Sequence, residues 1–128
     1  MKKTSTLMIA AAAAFLGQAV PVLAQSNDFN LTYYVERTSE AALDIETCGA
    51  IVEDAAAKAG YEANVQRFPG QLVLVSGGKE GQGVFTVQCI SVEKTTVSVV
   101  QGIDYRNKKA SLGEYADKVQ AAIMAAKK

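Results

Sequence analysis

Residues able to do chemistry are few in this chain, and their spacing closes off most reaction classes. No histidine occurs, which excludes triads and proton relays through imidazole along with the common zinc and non-haem iron sites. The carboxylates are scattered. Asp54 with Lys58 and Glu114 with Lys118 stand at i,i+4 spacing and read as helix-surface pairs. Glu36, Glu62, Glu93 and Asp104 fall at strand ends or on wet faces, where nothing would raise a carboxyl pKa toward that of a general acid. The nearest approach to an acid–base pair is Glu36 with Glu62, should their strands be neighbours; that is the basis of an alternative reading as a small hydrolase working without histidine or metal. No catalytic residue, metal ligand or cofactor is assigned.

Two stretches invite an anion. Gly77-Gly78-Lys79-Glu80-Gly81-Gln82-Gly83 offers bare backbone amides, but no Gly-Lys-Ser/Thr ends it and a strand, not a helix, follows. It is expected to be a mobile hairpin loop, available to a partner. Tyr105, Arg106, Lys108 and Lys109 form the one compact basic group, a possible anion contact that reads otherwise as a solvated loop.

Cys48 and Cys89 are the only cysteines. Their meaning depends on the compartment, and the first residues fix the expectation. Met1-Lys2-Lys3 is a basic start, residues 7–16 form an Ala-rich apolar run, and Val22-Leu23-Ala24 suits a signal peptidase. Residues 1–24 are therefore expected to be a cleaved secretory signal of a bacterial protein, leaving residues 25–128 as one domain in the periplasm or outside the cell. In an oxidising space the two cysteines should pair as a structural disulfide, whereas a catalytic dithiol would have its cysteines close together at a helix start. With Lys2 and Lys3 gone, 11 basic residues face 13 acidic ones; that balance attracts neither nucleic acid nor an anionic membrane, and no later segment is long and apolar enough for stable insertion. Apolar residues at 49% and charged ones at 20% suit a folded core.

The elements that would position these groups follow from periodicity. Residues 29–36, 61–68, 84–92 and 96–103 alternate as strands, and 72–75 is apolar throughout, as in a central strand. Between them, Thr38-Ser39 offers an N-cap, Ala41, Ile45, Cys48, Val52, Ala55 and Ala59 a helical stripe, and Gly60 a left-handed stop. A tight turn is expected at Glu93-Lys94-Thr95. Ser111-Leu112-Gly113-Glu114 fits a capping box, followed by the stripe Leu112, Tyr115, Ala116, Val119, Ala122, Ile123 and Ala126. The order β-α-β-β-β-β-α predicts an α+β fold: a mostly antiparallel sheet of four or five strands with both helices on one face and one disulfide.

If the apolar member of each alternation faces the helices, the opposite face carries Thr32, Tyr34, Asn64, Gln66, Thr86, Gln88, Thr96 and Ser98. Tyr34, Gln66, Gln88, Thr86, Thr96 and Ser98 are then the candidate binding surface, neutral and rich in hydrogen-bonding groups, suited to an envelope protein, a peptide or a glycan. The leading expectation is a non-catalytic binding or accessory module of the bacterial envelope; a self-assembling structural protein is the further alternative.

Overall fold

The structure is a computed structural model that describes residues 28–128; the expected signal segment, residues 1–24, lies outside the described residues. The chain runs β1 (Asn30–Ser39), α1 (Ile45–Ala59), β2 (Ala63–Phe68), β3 (Leu72–Lys79), β4 (Gly83–Val92), β5 (Thr95–Asp104) and α2 (Ser111–Ala126). The strands make one antiparallel sheet in the order β1-β5-β4-β3-β2. β2 to β5 form a meander of hairpins, while β1 adds at the far side of β5, so the crossover through α1 carries the chain from one edge of the sheet to the other. Both helices lie on one face, α1 over β3 and β4, α2 over β5 and β1. The class is α+β, as the element order implies.

Several boundaries differ from the sequence reading, each for a local reason. β1 continues through Thr38 and Ser39, because both pair with β5. The cap of α1 is therefore Asp44, whose carboxylate accepts from Thr47 N–H at 2.7 Å. Gly60 ends α1 at φ 80°, as expected of a left-handed cap. The glycine-rich stretch is not a loop. Gly77 and Gly78 are strand residues paired with Phe85 and Val84, leaving residues 80–82 as the turn. The other tight turn, Glu93-Lys94, has both residues at positive φ (46° and 64°), the backbone of a two-residue hairpin that matches the strand twist.

The core between sheet and helices is uneven, and the unevenness sets everything that follows. Over β3 and β4 it is built from Val73, Val75, Phe85, Val87 and Cys89 against Cys48, Val52 and Ala56 of α1. The Cys48–Cys89 disulfide joins helix to strand there, with Cα atoms 6.1 Å apart and both residues fully buried. Over β5 and β1 Val100 is the one buried aliphatic residue facing inward, and most of the others are small or polar: Thr96, Ser98, Gly102, Thr32 and Thr38. They let α2 come close. A Cβ on Gly102 would stand 2.2 Å from the Leu112 carbonyl oxygen, so only glycine fits under that turn of helix. Tyr115 of α2 fills the space beside it, its ring 4.5 Å from that of Phe85, and its hydroxyl donates to the Val52 carbonyl at 3.1 Å.

Candidate functional site

Strand alternation forces a consequence: where most inward residues of β1 and β5 are small or polar, most of the apolar ones point outward. The face assignment drawn from the sequence is thus reversed for these two strands. Thr96 and Ser98, expected in water, are each 1% exposed beneath the helices. Thr96 Oγ1 donates to the Leu43 carbonyl at 2.6 Å, holding β5 to the approach of α1. Tyr34 also faces the helices, and its hydroxyl donates to Asp117 of α2 at 2.5 Å. These three leave the candidate surface. Gln66, Gln88 and Thr86 do lie on the open face.

Among the described residues, no helix lies over that open face. Reading from β1 to β2, one row is Tyr33, Gln101, Thr86, Ser76 and Asn64; the next is Val35, Val99, Gln88, Leu74 and Gln66; a third is Arg37, Val97, Ile90, Leu72 and Phe68. Leu31, Ile103 and Val84 extend it at one end and Val92 at the other. Most of the large apolar side chains left in solvent gather here: Tyr33 is 62% and Val35 58% exposed, with Leu31, Phe68 and Val92 exposed beside them. Apolar patches of this extent mark contact surfaces. A stripe of neutral hydrogen-bonding groups crosses the apolar field, and within it Thr86 Oγ1 donates to Gln101 Oε1 at 3.0 Å. Among the described residues, Arg37 is the one charged side chain in the face itself, with Glu93 of the adjoining turn lining the same shallow depression.

The remaining candidates fall into place around the fold. Asp104 is completely buried, and its carboxylate accepts from the N–H groups of Ala110 (2.8 Å), Leu112 (2.9 Å) and Gly113 (3.0 Å). It supplies the cap expected of Ser111, which makes no capping bond, and it fills the helix N-terminus with an internal anion. The turn bearing Gly81 and Gln82 does meet the loop bearing Tyr105 and Arg106, around a depression of about 480 Å³. Its best amide donors are already bound to Asp104. Lys109 is bound to Asp117 at 2.5 Å, an anion inside the protein; Arg106 and Lys108 are exposed. Asp117 stands below its ordinary pKa because it accepts from Lys109 and then from Tyr34. Tyr34 is pushed up, first by its bond to Asp117 and then by desolvation, and that bond latches β1 to α2.

Glu36 and Glu62 do not meet. β1 and the strand that follows Glu62 are the two edges of the sheet, separated by four strand spacings, roughly 19 Å. Glu36 instead pairs with Lys127 at 3.2 Å. A groove of about 350 Å³ between the helices is floored by Ile51, Ala55, Ala59 and Ala122, and Asp54 and Lys58 at its rim pair with each other at 2.7 Å. Among the described residues, no three His, Cys, Asp or Glu side chains gather as a metal site, and no helix is long and apolar enough to cross a membrane.

Fold and face together define a disulfide-bonded two-layer α+β domain in which, among the described residues, helices cover one side of the sheet only. The chain belongs to a family of proteins of unknown function (DUF6180), whose model matches residues 28–128. No curated protein matches it significantly in sequence.

What sequence reasoning missed is the outward set Tyr33, Val35, Val97 and Val99. A signal was present: Thr32, Thr96, Ser98 and Gly102 alternate with them, and small residues in register on neighbouring strands are what a closely packed helix requires. The sequence around Asp104 likewise suggests a strand-end or surface carboxylate, though it stands seven positions before the helix whose start it caps.

Proposed function

We propose that this protein is a small, non-catalytic, exported module of the cell envelope that works by docking another protein surface on the open face of its sheet. The observation that carries the reading is the placement of Tyr33, Val35, Val97 and Val99 outward while Thr96 and Ser98 are buried. Turning apolar side chains to water and polar ones inward gains nothing for the isolated domain, so the arrangement makes sense when something covers the face. A glycan needs aromatic platforms amid hydroxyl-binding groups, but Tyr33 and Phe68 lie on opposite edges of the face and aliphatic side chains lie between them. A protein surface fits better. Export is supported by the buried disulfide, which belongs to oxidising compartments, and by the signal-like residues 1–24.

The test is a photo-reactive amino acid placed at Tyr33 or Val99 in living cells, with Lys58 on the helix side as control. Adducts with protein are expected from the sheet positions and not from position 58. Equal labelling from both sides, or none from the sheet, refutes the reading.

A further inference from the structure

We infer that the surface docked on this face is a second copy of the same chain, giving a dimer of two sheets stacked face to face. The inference rests on the docking reading above and names its partner. Three properties of the face point to self-association.

Area comes first. Five strands spaced ~4.8 Å apart, with outward residues covering eight or so positions at ~3.3 Å each, offer roughly 600–700 Å² per copy. Two copies would bury about 1,300 Å², inside the range of specific, stable interfaces and above that of incidental contacts.

Charge comes second. A surface that meets its own copy must not set like charges together. This one is neutral across its centre, and Arg37 sits at the edge strand, where a two-fold arrangement can leave it at the rim. A strongly acidic or basic partner would find nothing to match.

Third, the polar stripe complements itself. Gln101, Gln88 and Gln66 each carry a donor and an acceptor on one amide, so the same stripe can satisfy its own copy in either direction. The twist of the sheet is also the shape a second sheet needs, since aligned sheets of one hand pack at about −30° with ~10 Å between them.

The experiment is sedimentation of the purified chain over a wide concentration range, alongside Tyr33→Glu, Val99→Glu and Met124→Glu. Tyr33 projects from the edge strand, so its replacement leaves the core untouched even if the change at Val99, deeper in the sheet, harms folding. Met124 is exposed on α2, away from the face. The wild type should reach twice the mass of one chain. Each face variant should weaken the dimer at least about tenfold, the penalty of burying an unpaired carboxylate, while Met124→Glu leaves it unchanged. A wild type that stays monomeric, or a dimer that survives Tyr33→Glu, overturns the inference. The photo-adducts separate the two claims: face adducts with a different protein, from a monomeric chain, sink the dimer and leave the docking role standing.

Discussion

Replacing Asp104 by Asn should cost this domain far more than its small chemical change suggests. The carboxylate is sealed from solvent and accepts three backbone N–H groups, two through Oδ2 and one through Oδ1. An amide retains one oxygen. Turned to keep the bonds to Ala110 and Gly113, it points its NH2 at the Leu112 N–H, donor against donor. One charge-assisted bond is lost, worth ~1.5–3 kcal/mol, and the negative charge facing the start of α2 disappears, worth about 0.5–1 kcal/mol. The sum is about 3 kcal/mol, against a total of ~5–15 kcal/mol for a domain of this size. At ~4–8 °C per kcal/mol the melting temperature should fall by roughly 12–24 °C, as read by circular dichroism. Ser111→Ala should change stability by less than about 0.5 kcal/mol, because Ser111 makes no capping bond. If the Asn variant melted within a few degrees of wild type while Ser111→Ala was the damaging change, the sequence-based capping box would be right and the cap described here wrong.

Two further outcomes follow from the same framework. Removing the disulfide by Cys48→Ala with Cys89→Ala should lower stability in urea by up to about 4 kcal/mol, since the bridge closes 41 residues of chain; equal stability with and without reductant would show that it does not constrain the fold. Asp117 and Asp44 both hold folded-state pKa values below the ordinary aspartate range, Asp117 through Lys109 and Tyr34, Asp44 through the backbone N–H of Thr47. Their stabilisation is whole above about pH 4 and is lost as pH falls through the lowered folded values. An acid titration of stability should flatten in that window in Asp117→Asn; an unchanged slope would mean the latch to Tyr34 and Lys109 is not populated in solution.

The local patterns in this chain were legible as written. Alternation at β4, the helical stripe through Cys48 and Val52, the glycine stop at Gly60 and the pairing of two lone cysteines each depend on residues close along the chain or on the absence of other partners, and all four appear in the fold. Which way β1 and β5 face was not legible. Alternation says that successive side chains point to opposite sides, but it does not say which side is covered, and the usual tie-breaker, apolar toward the helices, fails where α2 packs so close over Gly102 that no side chain fits at that position and most of its inward neighbours are Thr or Ser. Register decided it: Cys89 is held inward by its disulfide, Ser98 stands opposite Cys89, and every residue of β5 follows from that pair. The same holds for Asp104, a surface carboxylate by its neighbours in sequence and a buried cap once the loop after it folds back. Sequence determined the elements, because hydrophobic period and turn chemistry act over a few residues; tertiary structure decided the faces, and with them the candidate site, because that choice is made by contacts between strands and helices far apart in the chain.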